Sequence, residues 1–197
     1  MKHKYKINEI FYSIQAEGAN AGKPAVFVRF SGCNLHCPWC DTPNHNEGVI
    51  YTGNELEKIV KDLSAGDTEN IIVVLTGGEP TLQLHDDEQL FEDFFVAIET
   101  NGTKPVPWWI DYVTCSPKTD VLFDKIKYSL KPDEIKVVYQ PEREEYFNYL
   151  KGLKDVKLFI QPLENGGKMN IPETMNYLLK NPQYRLSLQF HKLIGVR

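Results

Sequence analysis

Three cysteines fall within eight residues, Cys33-Asn34-Leu35-His36-Cys37-Pro38-Trp39-Cys40, just after the apolar run Val26-Phe27-Val28-Arg29-Phe30. Thiols so close in sequence converge on one centre only if the chain wraps around it, so a strand here must open into a metal-binding loop. The only other cysteine, Cys115, lies far along the chain inside another apolar run. Three thiolates leave one position without a protein thiol. In a 4Fe-4S cluster that is an iron free to take a small-molecule ligand; in a zinc site His36, His45 or His191 could complete the set. The triplet alone leaves both open. A disulfide fits least, because three is odd and nothing suggests secretion.

A second motif, Thr76-Gly77-Gly78-Glu79-Pro80, follows the apolar run Ile71-Ile72-Val73-Val74-Leu75. Taken alone, two glycines at a strand end make an ordinary strand-to-helix turn. Beside a metal loop they also let backbone approach a ligand closely, with the polar groups of the turn offered to it.

Around these motifs the chain alternates. Strands are expected at 7–14, 25–30, 71–75, 94–99, 111–115, 134–139, 156–161 and 185–190, with a polar loop of small residues at 15–23. Thr52-Gly53-Asn54-Glu55 reads as a capping box for a helix carrying Leu56, Ile59, Val60 and Leu63 on one face. Further helices are expected at 142–153 and 172–179, and a short amphipathic stretch at 82–91. The alternation predicts an α/β fold with a parallel sheet. Cys33, Thr76, Thr100, Ser116, Gln161 and His191 then share one rim, past the carboxyl ends of the strands. Each alone is a turn-former or cap; together they describe a ligand site over the metal loop.

A complete (β/α)8 barrel takes about 250 residues. With 197 residues the expectation is one domain, 1–197, holding a modified partial (β/α) barrel with an N-terminal strand pair. The net charge of -5 argues against a general nucleic-acid binder. No apolar run is long enough to span a bilayer, and the basic opening Met1-Lys2-His3-Lys4 has no signal-peptide core after it. A cytoplasmic location is therefore expected, where thiols stay reduced. Arg29, the one charge in its strand, needs a carboxylate partner or an exposed face; pointed into a cavity near the cluster it is a ready carboxylate fork.

The cysteine spacing, with an aromatic residue before the last cysteine, resembles the cluster motif of the radical S-adenosylmethionine (SAM) enzymes, and the Gly-Gly-Glu-Pro turn resembles their second motif. The likeness narrows along nearly the whole chain. Asn8-Glu9-Ile10-Phe11, Ile14-Gln15-Ala16-Glu17-Gly18, Trp39-Cys40-Asp41-Thr42, Glu99-Thr100-Asn101-Gly102-Thr103, Ser116-Pro117-Lys118, Gln161-Pro162 and Leu186-Ser187-Leu188-Gln189-Phe190-His191-Lys192 resemble the 7-carboxy-7-deazaguanine synthase family.

That resemblance implies a homodimeric carbon-nitrogen lyase of queuosine and deazapurine biosynthesis. It implies conversion of 6-carboxy-5,6,7,8-tetrahydropterin to 7-carboxy-7-deazaguanine with loss of ammonia, using a 4Fe-4S cluster, SAM and Mg2+. A 5'-deoxyadenosyl radical would take hydrogen from C6 before the ring contracts, with electrons from a flavodoxin-like or ferredoxin-like donor. Cys33, Cys37 and Cys40 are implied as cluster ligands and Thr42 as the magnesium position. SAM contacts would fall on Trp39, Cys40, Asp41, Gly78, Ser116, Pro117, Lys118, Gln161, Pro162, Leu163 and Glu164. Substrate contacts would fall on Ile14, Gln15, Ala16, Glu17, Arg29, Thr76, His191 and the terminal carboxylate of Arg197. Two departures stand out: Ala16 replaces the family's usual glycine, which crowds the loop if that position needs a positive φ, and the segment 80–94 is compact for the helix that normally follows the Gly-Gly turn. The alternatives are a glycyl-radical activating enzyme, which would need neither the Gln15 and Arg29 surroundings nor the His191 ending, and a non-catalytic zinc-binding module.

Overall fold

Alternating β-branched and aromatic runs make the strands of this chain, and most of them end where a polar or glycine-rich turn interrupts the run. The computed structural model describes residues 2–40, 42, 46–118 and 131–196. In chain order the elements are β1 (Lys4–Ile14), β2 (Pro24–Phe30), β3 (Val49–Thr52), α1 (Gly53–Leu63), β4 (Ile72–Gly77), β5 (Val96–Thr100), β6 (Tyr112–Cys115) and β7 (Glu134–Val138). Then follow α2 (Glu144–Leu150), β8 (Lys157–Gln161), β9 (Glu164–Asn165), β10 (Lys168–Met169), α3 (Ile171–Lys180), β11 (Tyr184–Leu186) and α4 (Phe190–Ile194).

One sheet of nine strands runs in the order β11-β8-β7-β6-β5-β4-β2-β1-β3. From β2 to β11 every neighbouring pair is parallel. β1 is antiparallel to both β2 and β3. The parallel strands follow one another across the sheet in chain order, the arrangement of an open, partial barrel. α1 starts where the sequence predicts: the Thr52 hydroxyl accepts from Glu55 N at 3.3 Å while Thr52 N donates to the Glu55 carboxylate at 2.7 Å.

The period of two along each strand gives the sheet two different faces. Val26, Val28 and Phe30 of β2 point outward into the larger core with Leu75, Ile98 and Ile135, where Leu56 and Val60 of α1 and Phe147 and Leu150 of α2 cover them. Burying each such side chain contributes about 1.5–3 kcal/mol, so stability is concentrated on this face. Ala25, Phe27, Ile72, Val74 and Ala97 point the other way and form a small apolar floor with Phe11 and Tyr112. One step further toward the strand ends, on that same inner face, the side chains become polar: Arg29 sits beside Thr76 in register, and Thr76 donates to Glu99 at 3.0 Å.

Several expected elements differ. The strand expected at 185–190 stops at Leu186, and α4 begins at Phe190. Ser187 and Gln189 take hydrogen bonds with the 15–18 loop, from Gly18 N (3.2 Å) and to Glu17 (3.0 Å), which draws the chain off the sheet edge and over the barrel end. His191 therefore sits on a helix. The expected helix 142–153 is a 3-10 turn, Pro141–Arg143, followed by the shorter α2. After the 3-10 turn Pro80–Leu82 the stretch to 91 has no helix. The edge strand β3 and the β9–β10 hairpin carry no sequence signal strong enough to have been expected.

Candidate functional site

β2 delivers the cysteine loop to the carboxyl rim of the barrel. Two glycine features fix where it goes. Gly32, at φ 86, turns the chain after Phe30. Gly78 lies against that turn so closely that a Cβ there would be 1.9 Å from Gly32 O and 3.1 Å from Cys33 N. Backbone bonds lock the contact, Gly78 N to Phe30 O at 3.0 Å and Glu79 N to Gly32 O at 2.8 Å. The second motif is thus the seat of the first. Glu79, fully buried, is occupied in holding the turn itself: its carboxylate accepts from Thr81 (2.6 Å) and Thr100 (2.7 Å) hydroxyls and from Asn101 N (2.6 Å).

The three thiols of the loop share one environment. Leu35 N and Asn101 Nδ2 both donate to Cys33 Sγ, at 3.4 and 3.9 Å. Burial pushes the Cys37 thiol up, Lys118 pulls it back down, and the neighbouring Cys40 and Cys33 raise it. Metal binding therefore releases protons here. Cys115 takes no part: it is fully buried in the outer core, and burial with nearby Glu79 pushes its thiol to about 12.

Beneath and beside the loop lies a cavity of about 1050 Å³. All three cysteines line it, with Trp39, Gly78, Ser116, Lys118 and the stretch 161–164 on the walls near the loop. Ile14, Gln15, Ala16, Glu17, Arg29, Thr76 and His191 also line it, as does Thr42. Pro117 does not. Asp41, His45 and Arg197 lie outside the described residues. Two buried polar atoms on these walls, Trp39 Nε1 and Gln161 Oε1, have no hydrogen-bond partner among the described residues. Buried unpaired groups are costly, so a donor and an acceptor of this kind suit a polar ligand that completes them. The thiol set, the close-packed Gly78 and these two atoms fit a cluster with a small molecule bound beside it.

The inner floor is a network of charges. Lys136 forms ion pairs with Glu17 and, at 3.6 Å, with Glu99. The Glu99 carboxylate also accepts from Gln15 at 3.3 Å. Burial alone would raise the Glu99 carboxyl, but Lys136, Thr76, Gln15 and Arg29 together hold it below its ordinary value. Lys136 stays protonated for the same reason: Glu17 and Glu99 outweigh its burial. Arg29 pairs through Nε with Glu9 at 2.8 Å and still faces the cavity, so it is both a structural ion pair and a lining residue. Glu99 and Lys136 were missed as site residues from the sequence. Glu134 and Lys136 alternate with buried Ile135 and Val137 and so face the lumen, but a half-exposed strand shows the same alternation.

Ala16 is not strained by its methyl group: the positive φ values of the 15–23 loop fall on Gly22, at 90°, and Gly18, at 66°, where a Cβ would be 2.1 Å from the Glu134 carboxylate.

Comparison with known proteins agrees with this geometry. The family model of the Radical SAM superfamily matches residues 27–127. A 7-carboxy-7-deazaguanine synthase of Bacteroides thetaiotaomicron is 44% identical over 195 residues, covering 98% of both chains. The chain belongs to the 7-carboxy-7-deazaguanine synthase family. The Haemophilus influenzae 7-carboxy-7-deazaguanine synthase is 39% identical over 206 residues, 98% of this chain and 94% of that one. Among solved structures, QueE from Escherichia coli superposes with a TM-score of 0.74 at 26% identity, covering 94% of each chain. Membership of this radical SAM family brings with it a 4Fe-4S cluster and SAM, and sets aside both the zinc module and the glycyl-radical activating enzyme as readings of the triplet. No helix among the described residues is long and apolar enough to cross a membrane.

Proposed function

We propose that this chain converts 6-carboxy-5,6,7,8-tetrahydropterin to 7-carboxy-7-deazaguanine with loss of ammonia. The observation that carries the reading is the charged floor of Gln15, Glu17, Arg29, Glu99 and Lys136 lying in one cavity with three thiols. A pterin presents a hydrogen-bonding edge rich in N–H donors and, here, a carboxylate. The Glu17 and Glu99 carboxylates, paired with Lys136, accept from the first, and Arg29 receives the second.

In this reading Cys33, Cys37 and Cys40 hold the cluster. Trp39, Cys40, Asp41, Gly78, Ser116, Pro117, Lys118 and the stretch 161–164 hold SAM. When bound, these groups supply hydrogen-atom abstraction at C6 of the pterin. The chain supplies placement. Gln15 and Glu17 hold the pterin edge, and Glu17 is itself fixed by Lys136 and by Gln189 at 3.0 Å. Thr76 and His191 bound the substrate region, and Lys192 pairs with Glu164 at 2.5 Å, tying α4 to the start of β9. That tie helps to exclude water and stray hydrogen donors. Thr42 is the proposed magnesium position, since a hydroxyl with a substrate carboxylate and water suits a hard cation. The reading extends to one domain, a homodimer, a flavodoxin-like or ferredoxin-like reductant and a cytoplasmic setting.

The test is an anaerobic assay of cluster-reconstituted protein with SAM, Mg2+, a strong reductant and the pterin, read by mass spectrometry. Formation of 7-carboxy-7-deazaguanine is expected. If 5'-deoxyadenosine appears without it, the substrate assignment fails; if protein with an intact cluster makes neither, the enzymatic reading fails.

A further inference from the structure

Away from the cavity, the compact segment after the Pro80–Leu82 turn crosses the start of β1 and is pinned to it. Gln83 bonds both ways with the Lys6 backbone, accepting from Lys6 N at 2.7 Å and donating to Lys6 O at 3.2 Å. Glu88 accepts from His3 N at 3.1 Å and from the Tyr5 hydroxyl at 3.3 Å. Trp109 Nε1 donates to the His85 carbonyl at 3.0 Å. Backbone bonds therefore hold His3 and His85 on both sides of the crossing, and their imidazoles stack with centroids 3.8 Å apart and planes at 15°. His3 Nε2 lies 3.0 Å from Asp87 Oδ1. One ligand atom from each of His3, His85 and Asp87 falls within 4.8 Å of the others, a grouping that recurs nowhere else among the described residues.

We propose that His3, His85 and Asp87 bind one divalent transition-metal ion, zinc by preference, which clamps the 83–88 segment to the start of β1. Two imidazoles and a carboxylate are ligands of the borderline type that zinc takes, with water in the fourth position. With bonds of about 2.0–2.1 Å a tetrahedron has edges of roughly 3.3 Å, so the His3–Asp87 separation already matches one edge. Each imidazole has a ring nitrogen whose lone pair lies in the ring plane, the orbital a zinc ion takes. Aiming both lone pairs at one ion needs rotation about the rings' soft terminal torsion, not movement of the pinned backbone. The other Asp87 oxygen is 3.7 Å from Lys2 Nζ. Asp87 is exposed and both rings are half-buried, which gives the ion a way in. None of the three residues lines the cavity.

The test uses the cluster-replete protein, dialysed anaerobically against micromolar zinc, with bound zinc, iron and sulfide counted by elemental and chemical analysis. The expected result is close to one zinc per chain with iron and sulfide unchanged, and a zinc X-ray absorption spectrum showing nitrogen and oxygen ligands with imidazole scattering. His85→Gln and Asp87→Asn should each weaken zinc binding by more than about 100-fold, the upper end of what loss of a mere outer partner costs. They should also abolish the zinc-dependent rise in Tm while leaving 5'-deoxyadenosine formation intact. Sulfur in the zinc shell, zinc gained only as iron is lost, no zinc retained, or zinc binding unchanged in both variants would each overturn the proposal.

Discussion

The close seating of the second motif under the first makes Gly78→Ala the most informative single change. The Cβ would stand 1.9 Å from Gly32 O and 2.5 Å from Gly32 C, both backbone, against an ordinary contact of 3.4 Å or more. Something must move by more than an ångström, and one side of the contact is the loop that carries Cys33. Forcing extra volume into a packed contact costs about 1–3 kcal/mol. Losing the Gly78–Phe30 and Glu79–Gly32 backbone bonds adds about 1 kcal/mol each. A displacement of about 1 Å at a reacting centre can cost roughly 100-fold in rate. The expected variant therefore folds, with a lowered Tm, but holds less iron and makes 5'-deoxyadenosine at least about 100-fold more slowly. Gly66→Ala is the control, because Gly66 has φ 76 and nothing within 4 Å of a Cβ, so it should lose about 1–2 kcal/mol of stability and no iron. Wild-type iron content and turnover in Gly78→Ala, with a Tm like that of wild type, would refute the seating argument.

Lys136→Met removes the cation between two half-buried carboxylates, which should destabilise the protein by about 1–3 kcal/mol and raise the pterin KM. The sign with pH follows from Glu99. In wild type its pKa is depressed, so its contribution is present above the ordinary carboxylate range and lost as pH falls through the depressed value. In the variant burial is left to dominate and the pKa rises, so the deficit measured by urea unfolding should shrink from pH 7 toward pH 5; a constant deficit would mean that Glu99 is not held ionised by Lys136. Arg29→Ala should raise KM for the pterin by more than 10-fold with little change in 5'-deoxyadenosine formed per encounter, since Glu9 is then left facing the substrate carboxylate; unchanged KM would remove Arg29 from the substrate site. Thr52→Ala should cost about 1 kcal/mol, roughly 2–4 °C in Tm, and leave kinetics untouched if α1 is scaffold only.

What could be read from the sequence divides along a physical line. Covalently local signals survived folding: the capping box at Thr52, the strand runs and the cysteine spacing each depend on neighbours within a few residues, and each appears where expected. Elements fixed by distant partners did not. The end of β11 is set by Gly18 and Glu17, reached only after the chain has closed on itself, so the run Leu186-Ser187-Leu188 looked like continuing strand. The same distinction explains the missed site residues. Arg29 attracts notice as a lone charge in an apolar run, whereas Glu99 is the last residue but one of β5 and Lys136 alternates with apolar neighbours as any half-exposed strand would. Only the barrel's curvature, which turns that alternate face inward, converts an ordinary surface pattern into a half-buried ion network.

The network also gives a reason for the order of layers in the lumen. Phe27, Val74 and Ala97 form a dry floor, and the charged layer lies above it toward the loop of thiols. A charge set directly on an apolar floor is poorly solvated from below, so its energy depends strongly on what occupies the space above. Lys136 and Arg29 offset two of the three carboxylates Glu9, Glu17 and Glu99, so the layer carries one surplus negative charge to meet the N–H donors of a ligand. A neutral polar pterin edge can enter without stranding an unpaired charge, and its one carboxylate has a cation to meet. By the same reasoning an analogue lacking the carboxylate should bind worse to wild type but lose little further affinity in Arg29→Ala, and equal losses in both proteins would show that Arg29 acts through the fold and not through the substrate.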